Sequence, residues 1–148
     1  MKIAIGADHG GFALKESIRI NLEENGYEVL DKGVYDTDSV DYPDIAVSTC
    51  QEVLNGNADK AILICGTGIG ISIAANKIKG IRCALCAESY SAKMASRHNN
   101  ANVIALGGRT CGSALAWDIV EAFLTSEFEA GRHERRVHKI NNLEDSAC

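Results

Sequence analysis

The sequence predicts an α/β fold of three layers, with helices on both faces of a five-stranded parallel sheet. Three observations predict it. Five short apolar runs recur along the 148 residues; helix-like stretches with a core-facing stripe separate them; and the third run empties straight into a glycine-rich turn. Strand and helix signals in alternation imply parallel strands whose crossover helices cover the sheet on both sides.

Lys2 to Ala7 is the first strand, and Asp8-His9-Gly10-Gly11 follows it. Leu14, Ile18 and Leu22, at i, i+4 and i+8, form the buried face of a first helix. Asn25-Gly26 closes that helix, with glycine free to take the left-handed cap conformation. Tyr27 to Leu30 is the second strand, and Tyr42-Pro43-Asp44 opens the second helix, with proline at its start and an acid in its first turn. Lys60 to Cys65 is the third strand, followed by the glycine turn and a helix over Ile71 to Lys77. Arg82 to Cys86 and Asn102 to Leu106 are the fourth and fifth strands, with a helix from near Glu88 to His98 between them. Leu115, Ile119, Ala122 and Phe123 stripe the next helix at i, i+4, i+7 and i+8. From about His133 onward the chain reads as a charged helical tail. The arrangement is Rossmann-like, and residues 1–148 read as a single domain.

A net charge of −5 with a single proline and 5% aromatic residues argues against a nucleic-acid binder, whose affinity comes from a basic face. No apolar run reaches the roughly 20 residues that span a bilayer, and the first strand begins after one lysine, so the expectation is a cytoplasmic protein without a membrane partner. A chain of this length buries roughly 70% of its unfolded surface and needs no staple. The six cysteines, at 50, 65, 83, 86, 111 and 148, are irregularly spaced, which suits reduced thiols better than a disulfide framework. Cys83 and Cys86 lie three apart in a predicted strand, so they face opposite sides, and no second pair completes a zinc site. No metal ligand set is assigned.

Ligands of a doubly wound sheet bind beyond the carboxyl ends of the strands. Those ends deliver Asp8-His9-Gly10-Gly11, Cys65-Gly66-Thr67-Gly68-Ile69-Gly70 and Gly107-Gly108-Arg109. The glycines let backbone N–H groups approach a ligand closely, and a nearby helix N-terminus favours thiolate at Cys65. Each residue also has a plainer reading: Cys65 as a packed strand residue, Asp8 as a helix cap, His98 as a cation at a helix C-terminus. His98-Asn99-Asn100 precedes the fifth strand and so belongs to the opposite rim, unless the chain or a second subunit carries it round. Arg132 and Arg136, at i and i+4, either form a solvated face or aim two guanidinium forks at one phosphate. A dinucleotide site, with Glu88 on a ribose, fits poorly, because Gly66-x-Gly68-x-Gly70 is neither GxGxxG nor placed after the first strand.

These residues resemble a known family along essentially the whole chain: the type B ribose-5-phosphate isomerases, grouped with allose-6-phosphate and galactose-6-phosphate isomerases. The marks are Gly6-Ala7-Asp8-His9-Gly10-Gly11, Asp41-Tyr42-Pro43-Asp44, Cys65 through Lys77, Arg97-His98-Asn99, and Gly131-Arg132-His133 with Arg136. The resemblance implies aldose–ketose isomerisation of a sugar phosphate through a cis-enediolate, with no metal and no cofactor. It implies Cys65 as the base, Thr67 as a proton-transfer or orienting group, and the amides of Gly66, Gly68, Ile69 and Gly70 as stabilisers of the enediolate. His98, with Asp8, would open the sugar ring; His9, Arg132 and Arg136 would hold the phosphate, with Asn99 and Arg109 completing the substrate contacts. Some members carry a carboxylate base where this chain has Ile71, so the sequence sides with the cysteine subgroup. Sites shared between subunits imply a homodimer or a tetramer. The competing expectations are a hexose-phosphate isomerase and a non-catalytic module that binds a sugar phosphate or nucleotide, which would have no use for Cys65.

Overall fold

The computed structural model describes residues 1–145; Cys148 lies outside the described residues. Five parallel strands form one sheet: β1 (Lys2–Ala7), β2 (Glu28–Asp31), β3 (Lys60–Cys65), β4 (Cys83–Leu85) and β5 (Val103–Gly107), in the order β2-β1-β3-β5-β4. Six helices accompany them: α1 (Phe12–Glu24), α2 (Tyr42–Leu54), α3 (Ile69–Ala75), α4 (Ser89–Asn99), α5 (Ser113–Leu124) and α6 (Arg132–Leu143). The expected Rossmann-like three-layer fold is what forms.

Side-chain alternation along the strands sorts the core into two halves. Ile3, Ile5, Ile62, Ile64, Ile104 and Leu106 point to one face, where they meet Leu14, Ile18 and Leu22 of α1, Ala92 and Ala95 of α4, and Ile119 and Phe123 of α5. Ala4, Ala61, Leu63, Cys65, Val103 and Ala105 point to the other, against Ala46 and Cys50 of α2 and Ile71 and Ala75 of α3. Smaller residues on this second face let α2 approach closely: a Cβ on Gly6 would stand 2.2 Å from the Thr49 hydroxyl. Cys83 and Cys86 fall in different halves of the core, as strand alternation requires.

Element boundaries move by a residue or two where side chains compete for backbone groups. The Arg82 N–H is taken by the Asn102 side chain at 2.8 Å, so β4 begins one residue later than expected. The third helix begins at Ile69 instead of Ile71 because Gly68, at φ +78°, turns the chain directly into it. The tail helix starts at Arg132 with His133 and Val137 buried. It is tied to the loop before β4 by a Glu144 carboxylate that accepts from the Gly80 N–H at 2.9 Å.

Candidate active site

Register places three strand ends side by side: Ala7 pairs with Ile64, and Cys65 with Gly107. The loops beyond them are laced together by backbone bonds, Asp8 N–H to Ile64 O at 3.1 Å, Gly108 N–H to Cys65 O at 2.8 Å and Arg109 N–H to Gly66 O at 2.9 Å. Glycine is required where they touch, since a Cβ on Gly108 would lie 2.5 Å from the Gly10 carbonyl. Asp8, His9, Cys65, the loop from Gly66 to Gly70 and Arg109 are therefore gathered at one rim.

Cys65 is buried at the end of β3, and its Sγ accepts from the Gly68 N–H at 3.2 Å. That amide is aimed at the sulfur by the left-handed turn at Gly68, which brings the chain back over Cys65. Thr67 is exposed beside it, with its hydroxyl accepting from the Ile69 N–H at 3.3 Å. The other described thiols sit in apolar surroundings: burial pushes Cys50 up to about 12 and Cys86 up to about 11, and raises Cys83 and Cys111 as well.

Asp8 does cap the turn: its Oδ1 accepts from the Gly10 and Gly11 N–H groups at 2.8 and 3.1 Å, a role compatible with ligand contact. His9 Nδ1 accepts from the Val40 N–H at 3.3 Å, which fixes the ring from the segment before α2. The Arg109 side chain lies over Gly66, whose added Cβ would stand 3.5 Å from the guanidinium. Tyr42, quoted above only as part of a motif, packs against the loop: a Cβ on Gly70 would stand 2.6 Å from its ring. Its signal was the Asp41-Tyr42-Pro43-Asp44 segment, which spacing alone could not connect to a loop 28 residues away. Glu88 is occupied as the cap of α4, accepting from the Tyr90 and Ser91 N–H groups at 2.6 and 2.8 Å, which removes the ribose-binding role a dinucleotide site would need.

His98, Asn99, Arg132 and Arg136 are not at this rim. His98 and Asn99 end α4, where the neighbouring Ser96 hydroxyl takes a 3.1 Å bond from Lys60, the first residue of β3. The five steps along six-residue β3, at about 3.3 Å each, put the two rims roughly 16 Å apart. At the second rim the His98 and His133 rings stack 4.1 Å apart, beside Glu129, which is ion-paired to Arg97. Partial desolvation, with His98, Arg132 and Arg136 nearby, holds His133 below the ordinary imidazole range. Arg132 and Arg136 are exposed on α6. The chain thus carries two candidate half-sites, one with a thiol, a hydroxyl and backbone amides, the other with two imidazoles and two arginines.

The family model described as Ribose/Galactose Isomerase matches residues 3–140. The chain is 50% identical over 143 residues to ribose-5-phosphate isomerase B of Escherichia coli strain K12, covering 97% of this chain and 96% of that protein. It is 43% identical over 145 residues to D-erythrulose-4-phosphate isomerase of Pectobacterium atrosepticum, covering 97% of this chain and 95% of the relative. The structure of Clostridium thermocellum ribose-5-phosphate isomerase B superposes with a TM-score of 0.97 at 52% identity, over 99% of each chain.

Proposed function

The chain belongs to the ribose/galactose isomerase family, and from that membership we propose that it is an aldose–ketose isomerase interconverting ribose 5-phosphate and ribulose 5-phosphate. The observation that carries the reading is the Cys65 thiol, at the carboxyl end of β3 and 3.2 Å from the Gly68 amide. As thiolate, Cys65 takes the proton from C2 of the open-chain aldose and returns it to C1, leaving an enediolate between the two steps. The amides of the Gly66–Gly70 loop are donors that can meet the developing oxyanion charge, and Thr67 passes or orients the proton moving between O1 and O2.

A furanose must open first, which is the work assigned to the His98 imidazole, with Asp8 assisting. The phosphate, far from the reacting carbons, is held by His9, Arg132 and Arg136, and that remote binding orients C1 and C2 against the thiolate. Because the two half-sites lie on opposite rims of one chain, we infer a homodimer in which Cys65 of one subunit works with the partner subunit's His98, Arg132 and Arg136. Residues 1–148 act as one catalytic domain, in the cytoplasm, without metal or cofactor. No helix among the described residues is long and apolar enough to cross a membrane, and a net charge of −5 argues against a nucleic-acid partner.

The first test is conversion of ribose 5-phosphate to ribulose 5-phosphate with chelator present, wild type beside Cys65→Ala. Turnover in the wild type alone supports the cysteine mechanism; equal turnover in both overturns it. Absence of turnover in either sends the assignment to hexose or tetrose phosphates, and then to a binding role.

A further inference from the structure

His98, Glu129 and His133 come together in a way that ring opening alone does not explain. The Nε2 atoms of His98 and His133 lie 3.6 and 3.9 Å from the same carboxylate oxygen, Oε2 of Glu129. One potential ligand atom from each of the three residues falls within 4.8 Å of the other two. Around a tetrahedral zinc-like ion with bonds of about 2.0–2.1 Å, ligand atoms stand about 3.3 Å apart, so both imidazole nitrogens must draw nearer to the carboxylate oxygen than their 3.6 and 3.9 Å, and one ring must turn for the two lone pairs to converge. The carboxylate is already oriented: Arg97 holds Oε1, which leaves Oε2 turned to the imidazoles, as an outer-shell partner orients a metal-binding acid. The rings are parallel to within 5°, and His98, 35% exposed against 8% for His133, is the one with room to turn its lone pair onto a shared ion.

We propose that His98, Glu129 and His133 form a binding site for a divalent first-row transition-metal ion, and that occupancy inhibits the enzyme by withdrawing His98 from ring opening. Two imidazoles and one carboxylate select zinc-like ions over magnesium or calcium, which prefer oxygen ligands throughout. A water completes the tetrahedron. The cations nearby weaken the site: Arg97 is paired with the carboxylate, Arg132 meets His133 Nε2 through a long 3.4 Å bond that the ion would replace, and Arg136 stands one turn along α6. The inhibitory half rests on the reading of His98 given above; the binding half does not.

The test is titration of the reduced, metal-free protein with Co2+, read by its visible ligand-field bands, and with Zn2+, read by calorimetry. One equivalent per chain is expected, weakened at least about tenfold in Glu129→Gln and abolished in the Glu129→Gln/His133→Gln double variant, while Cys65→Ser binds as wild type does. Glu129 is at the surface, so its variant keeps the test independent of folding at the buried His133, and circular dichroism checks both. Zn2+ should suppress isomerisation along the same occupancy curve, with reversal by chelator. Binding that survives the double variant, disappears with Cys65→Ser, or does not occur at all overturns the site. Saturated binding with undiminished turnover overturns the inhibition. Full activity in His98→Asn would sink the ring-opening role while leaving the Co2+ titration to decide the site separately.

Discussion

Cys65 differs from the other described thiols in what surrounds it. Cys65 ends its strand with the sulfur against a backbone donor, whereas Cys50 lies within α2, fully buried in the core. Cys65→Ala is expected to lower kcat by at least about 100-fold, the order a positioned base contributes, with the circular dichroism spectrum and inorganic phosphate affinity unchanged. Turnover near the wild-type rate would return Cys65 to the role of a packed strand residue. Arg136 acts on charge instead of on a carbon-bound proton, so Arg136→Ala should raise KM roughly tenfold, the loss expected of a charge-assisted hydrogen bond. An unchanged KM would leave the Arg132 and Arg136 pair as a solvated helix face.

The loop between β3 and α3 depends on one backbone conformation. Gly68 sits at φ +78°, and a Cβ there would lie 2.5 Å from Leu85 Cδ1 and 3.0 Å from the Leu106 carbonyl. Gly68→Ala should cost about 1–3 kcal/mol of stability and reduce kcat as well, because the same turn aims the amide at Cys65; urea unfolding and steady-state kinetics read the two losses. At the other end of β3, Lys60 donates to Phe123 O at 2.8 Å and to Ser96 at 3.1 Å, with no carboxylate paired to it among the described residues. Burial lowers Lys60 from 10.5 to about 8. Between those values the unfolded chain holds a proton that the native chain has released, so stability rises with pH across the window. Lys60→Met should flatten that rise in Tm relative to wild type; identical slopes would mean that Lys60 stays charged in the fold.

A sheet roughly 16 Å from rim to rim cannot bring His98 to Cys65 within one chain of this fold. Mixing inactive Cys65→Ala and His98→Asn variants, unfolded and refolded together, should therefore restore activity toward about a quarter of wild type, since each heterodimer keeps one intact shared site. No recovery despite heterodimer formation would place both residues in a single-chain site and overturn the shared arrangement. Substrate length is decided by the whole cavity between subunits: kcat/KM should favour ribose 5-phosphate over allose 6-phosphate, and a large preference for the hexose would reassign the substrate.

Much of this protein was legible without coordinates. The i, i+4, i+8 stripe of Leu14, Ile18 and Leu22 and the five apolar runs specify elements because burial periodicity is local, and the glycine turn after Cys65 is a local signal too. Two-sided strand burial made the three-layer fold follow from those elements. What the sequence could not determine were proximities between distant segments: Tyr42 against Gly70, His133 stacked on His98, Glu129 between Arg97 and the imidazoles. Those contacts depend on strand order and helix packing, which sum many weak long-range terms, whereas period, turn chemistry and strand-end position are set by neighbours in the chain. The opposite-rim position of His98 followed from its place before the fifth strand, but only the tertiary structure could show which residues of α6 and of the loop before it meet it there, because only helix packing says which ends of the elements meet.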